Sequence, residues 1–168
     1  GLPFTIVRPF NAVGIGEIRA IGDAPSYTSG DVTLAMSHVV PDLIQKIARG
    51  QDPLHLLGDG SQVRHFTYAG DLARGIVLAM ERSEALNDDF NLSTETSTSI
   101  RELAAAIWRK MRGAEPLRIA EDPPFAHDVA RRIPDVRKAK ERLGFSATVS
   151  LDAMLDVVIP WVERAVAD

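Results

Sequence analysis

Two polar residues stand where chemistry would need them. Asn11 follows an apolar run closed by Arg8-Pro9-Phe10, and ligands of open α/β sheets bind beyond the carboxyl ends of strands. Arg64 follows the Gly58-Asp59-Gly60 turn and leads into His65-Phe66-Thr67-Tyr68, a place from which a planar guanidinium could clamp a phosphate. On residue types alone each has an equal bland reading: an Asx turn for Asn11 and a surface ion pair for Arg64. Other constellations fail on spacing. Gly14-Ile15-Gly16 and Gly58-Asp59-Gly60 do not complete G-x-G-x-x-G, and neither leads directly into a helix, so both read as plain turns. A tyrosine–lysine pair needs Lys one helical turn after Tyr, but Asp31 follows Tyr27 and Leu72 follows Tyr68 at that distance. Gly60-Ser61-Gln62-Val63 lacks the second glycine of a nucleophile elbow. His38, His55, His65 and His127 have no metal-ligand spacing, and without cysteine no thiolate site is available. No catalytic or metal-binding residue is expected.

These residues need a scaffold. Phe4 to Arg8, with β-branched Thr5, Ile6 and Val7 in a row, predicts a strand covered on both faces and ended by Pro9. Residues 11–30 read as a long loop punctuated by glycine and proline. A helix is predicted over Ser37–Arg49, capped by Ser37 and stopped by Gly50. Leu54 to Leu57 predicts a short strand and Val63 to Tyr68 an extended segment. Asp71 opens or caps a helix to about Arg82 with Leu72, Ile76 and Ala79 inward, and Phe90 to Ser93 is a further strand. Ser99-Ile100-Arg101-Glu102 forms a capping box for a helix through Met111, stopped by Gly113. Leu117 to Ala120 is a strand, and Asp122 to Asp128 a proline-rich loop. Asp135 caps a short helix ending at Gly144, and Ser150 caps a last helix to about Val166. Trp108 and Trp161 lie on apolar helix faces and read as core. Strands alternating with helices specify an α/β protein.

The 168 residues suffice for a domain with a real core. A formal net charge of −4 disfavours nucleic acid and membrane surfaces as partners. Arg131-Arg132 and the basic residues from Arg137 to Arg142, interrupted by Glu141, read as a solvated face. No apolar stretch approaches the ~20 residues of a membrane span, and no signal peptide opens the chain. Together with the lack of cysteine, this points to a cytoplasmic protein.

Four stretches, in order, carry a family likeness: LPFTIVRPFNAVGIGE, SHVVPDLIQKIARGQDPLHLLGDGSQVRHFTYAGDLARGIVLAME, FNLSTETSTSIRELAAAI and RRIPDVRKAKERLGF. Together they resemble the C-terminal half of the NAD-dependent epimerase/dehydratase family, the extended short-chain dehydrogenase/reductases that act on nucleotide sugars. The likeness covers essentially the whole chain, and R-P-F-N-x-x-G with G-D-G-x-x-x-R at this spacing is its most specific part. It implies the C-terminal part of a Rossmann-like fold. Residues 1–98 would hold the last sheet strands with substrate-binding insertions, and residues 99–168 a C-terminal substrate-binding subdomain.

The same resemblance assigns roles. The Pro9-Phe10 backbone would lie beside the nicotinamide of NAD. Asn11 would hydrogen-bond the substrate diphosphate and Arg64 would neutralise it. Val39 would pack on the nucleotide, the main chain and side chains of His55, Leu56 and Leu57 would wall the base, and Asp128 would face the nucleotide ribose or its neighbourhood. Relatives often carry a second phosphate-clamping Arg where this chain has Phe125, and Asn where it has His38. Either Arg131 or Arg132 is near enough in sequence to replace that charge. The implied reaction of the intact enzyme is transient oxidation at a sugar carbon by NAD, followed by re-reduction or elimination. The cofactor turn and the Tyr-x-x-x-Lys pair would precede Gly1, so the chain alone is expected to be inactive. It is expected to associate with that missing half or with copies of itself. The alternative is a non-catalytic nucleotide-diphosphate binding or oligomerisation module.

Overall fold

The apolar run at the start of the chain forms β1 (Thr5–Pro9), paired in parallel with β8 (Asp88–Leu92), Val7 opposite Phe90. In the computed structural model residues 1–16, 27–29, 32–34, 38–124 and 128–167 are described. Further strands are β2 (Ala12–Val13), β3 (Tyr27–Ser29), β4 (Val32–Leu34), β5 (Leu54–Leu57), β6 (Val63–Arg64), β7 (Thr67–Tyr68), β9 (Thr98–Ser99) and β10 (Ile119–Asp122). The helices are α1 (Val39–Ala48), α2 (Ala69–Glu81), α3 (Ile100–Arg112), α4 (Arg137–Leu143) and α5 (Leu151–Ala167). The chain folds into two compact units that alternate along the sequence. The first comprises Gly1–Gly14, Gln62–Ser99 and Val129–Met154, the second Ile15–Ser61, Ile100–Asp128 and Leu155–Asp168.

In the first unit, β1 pairs with β8 and β2 with β7, both in parallel, while β6 runs antiparallel to β9. Its core joins Leu72 and Ala79 of α2, Phe90 and Leu92 of β8, and Ala139, Leu143 and Phe145 at α4 and its end, with Val7 packed against them. Helix α2 can approach this core because Gly75 has no side chain. A Cβ there would stand 2.8 Å from the Phe145 ring and 3.0 Å from Leu92. Ile76, expected inward, is instead 38% exposed. The buried stripe runs through Leu72, Gly75 and Ala79, and one residue on from Gly75 the helix turns about 100° away from it. Asp71 also departs from expectation. It lies within α2 and binds the 148–149 backbone rather than capping its own helix.

In the second unit, β5 and β10 form a parallel pair with Leu54 opposite Ile119, and β3 pairs with β4 in antiparallel fashion. Helix α1 packs on α3, and buried Leu43, Ile44 and Ile47 of α1, Leu54 and Leu56 of β5, and Leu103 and Ile107 of α3 make the core. Strand β10 falls later than the predicted Leu117–Ala120, because register with β5 brings Glu121 and Asp122 into the ladder against their poor strand propensity. The loop expected over residues 11–30 contains β2 and β3, and residues 17–26 and 30 lie outside the described ones. So does Ser37; α1 begins behind His38, which makes no side-chain cap bond. Trp108 is buried and donates its indole N–H to Glu115 O at 2.9 Å. No helix of the described residues is long and apolar enough to cross a membrane.

Candidate functional site

The end of β1 is a parallel-strand carboxyl terminus. Pro9 is exposed, and the Phe10 amide donates to Leu92 O at 3.1 Å, carrying the pairing one residue past the strand. Asn11 then takes φ 38°, the left-handed region that asparagine tolerates better than most residues. Its Nδ2 donates to His65 O (3.1 Å), and its own carbonyl accepts the Thr67 amide (3.1 Å). The side chain therefore bridges to His65, far along the sequence, instead of closing a local Asx turn. Gly14 completes the motif for a steric reason: a Cβ there would stand 2.9 Å from Ala69 Cβ, where the turn passes the start of α2.

Arg64 lies on β6 opposite Thr98 and is half-buried. Its Nη1 donates to Val63 O (2.9 Å) and Val129 O (2.6 Å). His65, next in the chain, is 3% exposed. Its Nδ1 lies 3.0 Å from Thr94 O, so that nitrogen carries the proton. Its Nε2 is buried without a hydrogen-bond partner. Pro9, Phe10, Asn11 and Arg64 thus belong to one unit, and Asn11 is bonded to His65, the residue after Arg64.

The remaining expected residues belong to the second unit. Val39 is the first residue of α1 and half-buried, and Asp128 is exposed. On β5, Leu54 and Leu56 turn inward, with Leu56 at 2% exposure, so the Leu56 side chain is core. His55 and Leu57 alternate to the other face, with Leu57 at 41%. The His55 amide donates to Gln51 Oε1 (3.0 Å), and Lys46 Nζ donates to its carbonyl (3.2 Å). What His55 offers a ligand is its imidazole, whose Nδ1 stands 2.8 Å from Asp122 Oδ1. Asp122 was not foreseen because the predicted strand stopped short of it. Nothing in the sequence signals a pair this far apart. Phe125 lies outside the described residues.

The first unit also holds a cleft of about 250 Å³, lined by Phe66, Thr94, Thr96, Thr98 and the 147–151 segment. None of the expected site residues lines it. Among the described residues, no group of three or more His, Asp or Glu side chains could hold a metal ion.

Parallel strands closed by an Arg-Pro-Phe-Asn turn, with a Gly-Asp-Gly turn leading to an arginine strand, agree with the expected C-terminal part of a Rossmann-like fold. Known proteins agree. A family model described as GDP-mannose 4,6 dehydratase matches residues 31–158. The chain is 31% identical over 166 residues to the UDP-N-acetyl-alpha-D-glucosaminuronate decarboxylase of Bacillus cytotoxicus, covering 96% of this chain and 46% of that protein. Among solved structures it superposes on the UDP-glucose 4-epimerase of Thermotoga maritima, solved with UDP-glucose. The TM-score is 0.76 at 28% identity, over 98% of this chain and 47% of that one. It also superposes on MoeE5, solved with UDP-glucose and NAD, with a TM-score of 0.71 at 27% identity over 95% of this chain and 46% of the other. The chain belongs to the GDP-mannose 4,6 dehydratase family of NAD-dependent epimerases and dehydratases. It spans about half the length of these relatives.

Proposed function

We propose that this chain is the nucleotide-sugar-binding portion of an NAD-dependent sugar epimerase or dehydratase. One observation carries the reading: the Asn11 bond to the His65 carbonyl ties the turn beyond β1 to the residue that follows Arg64. A diphosphate held there is met by the second Nδ2 hydrogen of Asn11, since only one is used on His65, and by the Arg64 guanidinium. For Val39, His55, Leu57 and Asp128 of the second unit, the family resemblance supplies a role on the nucleotide. The Leu56 side chain is committed to the core, so its share in walling the base is limited to its main chain.

NAD, when bound, supplies hydride acceptance and return. The residues present fit one edge of that cofactor. Pro9 and Phe10 end a parallel strand, where open α/β sheets take ligands, and Pro9 offers no N–H to compete for it. Neither glycine pair completes a cofactor turn and no Tyr-x-x-x-Lys occurs. The bond chemistry then belongs to a segment preceding these residues, and the chain alone is inactive. Its own contribution is positioning, a term that can reach roughly 7–11 kcal/mol in well-oriented reactions. Cytoplasmic location goes with the cysteine-free composition.

Calorimetric titration of the 168-residue chain with UDP, dTDP, GDP and CDP tests this reading. Saturable binding of at least one, weakened about tenfold or more by Arg64→Ala, is expected. If no nucleoside diphosphate binds, or if Arg64→Ala leaves the isotherm unchanged, the reading fails.

A further inference from the structure

Two segments and Phe66 line the cleft of the first unit: the loop after β8, through Thr94, Thr96 and Thr98, and the stretch from Ala147 to Leu151 that leads into α5. Both segments are fixed by side-chain bonds to their main chain. Thr67 Oγ1 accepts the Thr94 amide (3.1 Å), and His65 Nδ1 donates to Thr94 O (3.0 Å). Asp71 Oδ2 accepts the amides of Thr148 and Val149. A cleft held this way is formed before a ligand arrives, so little ordering entropy opposes binding.

The hydroxyls that face it are only partly used. Thr98 is 8% exposed, yet among the described residues no group bonds its hydroxyl. A hydroxyl on so buried a residue costs stability unless it finds a partner, and Thr98 lines the cleft. The Thr94 oxygen accepts the Thr96 amide (3.2 Å) and the Ser150 oxygen the Ala153 amide (3.2 Å), which leaves both O–H groups to donate. The Thr148 hydroxyl donates to Asp71 Oδ1 (3.1 Å), which leaves its oxygen to accept. None of the described lining residues is charged. Glu95, the charged residue of the 94–98 loop, is paired with Lys140 (3.3 Å). Donors beside an acceptor, without a cation, suit groups that both give and take a hydrogen bond. Phosphates and carboxylates only accept, and the ionised Asp71 bonded to Thr148 repels them. Phe66 and Val149 add apolar surface for C–H groups. The cleft of about 250 Å³ falls below the roughly 300–1,000 Å³ of drug-sized ligand pockets, which suits one ring rather than a nucleotide.

We propose that this cleft binds a single neutral sugar ring through its hydroxyls, at a site separate from the one proposed for the nucleotide. The Thr98 hydroxyl, which the protein leaves unpartnered, bonds the ring, and Thr94, Thr148 and Ser150 complete the contacts. The inference does not rest on the diphosphate site.

The test is saturation-transfer NMR of the full chain with D-glucose, D-galactose and N-acetyl-D-glucosamine, with inorganic phosphate as competitor, for the wild type, Thr98→Val and Ala147→Trp. A saturable signal in the millimolar range is expected for at least one sugar, undisturbed by phosphate. Thr98→Val should weaken it about fivefold. The same variant should keep or raise the melting temperature, because it removes a buried hydroxyl that the protein does not satisfy. Ala147→Trp fills the cleft and should abolish the signal, and it carries the test if Thr98→Val does not fold. The proposal is overturned if no sugar gives a saturable signal, if phosphate displaces the sugar, or if either folded variant binds as tightly as the wild type. UDP binding enters none of these outcomes.

Discussion

Asp71 is the polar residue on which the first unit depends most. It is 4% exposed. Its Oδ2 accepts the amides of Thr148 (2.8 Å) and Val149 (2.9 Å), and its Oδ1 accepts the Thr148 hydroxyl (3.1 Å) and Arg74 Nη2 (2.7 Å). Burial alone would raise its pKa, but the Val149 amide, the Arg74 guanidinium and the Thr148 donors outweigh that and hold it below the usual value. A depressed carboxylate pKa adds stability that is fully present above the unfolded value of about 4 and is lost as pH falls through the folded one. Asp71→Asn should therefore cost about 1–3 kcal/mol near neutrality in urea unfolding and lessen the acid destabilisation of the wild type. Equal stability of the two proteins at pH 7 would disprove this role. At the same scale, Asn11 and Arg64 were legible as site candidates because a polar residue after a strand end and an arginine after a glycine turn are local signals. The His55–Asp122 pair and the His65 contacts were not, since each joins residues remote in sequence.

Most elements were legible because their ends are written in local chemistry. The Ser150 hydroxyl accepts the Ala153 amide at 3.2 Å and starts α5. Asp135 accepts both the Arg137 amide (3.0 Å) and its guanidinium; with that guanidinium the larger cause, its pKa is lowered to about 2. Gly144 ends α4 at φ 68°, the left-handed conformation that favours glycine. What local chemistry did not disclose was which helix face turns inward. Gly75→Ala tests that. Helix propensity alone would favour alanine by up to about 1 kcal/mol. Contact with Phe145 and Leu92 should reverse the sign and leave a net loss of about 1–2 kcal/mol, seen as a lower urea midpoint. A higher midpoint would mean that Phe145 moves aside freely.

In the first unit, β1 was expected to be covered on both faces, yet only one is covered by the described residues. Val7 packs on the core, whereas Ile6 is 49% and Phe4 50% exposed. On α2, Val77 is 48% and Met80 80% exposed. Apolar side chains this open on a strand and its neighbouring helix favour association. The isolated chain should bind a hydrophobic dye and sediment as more than a monomer at micromolar concentration, and Ile6→Lys with Met80→Lys should reduce both signals. A monomer without dye binding would contradict this. Sequence alone determined the family, the α/β alternation, the starts at Asp135 and Ser150, the glycine stops and the two motif turns, all of which follow from residue types within a few positions of one another. Tertiary structure alone decided that β1 pairs with β8, that β10 shifts to meet β5, that the Leu56 side chain is core, and that Val63 bridges to Arg131. Those outcomes depend on which backbone edges pair across long stretches of chain, and pairing is selected by the apolar faces buried together rather than by the residues beside each strand.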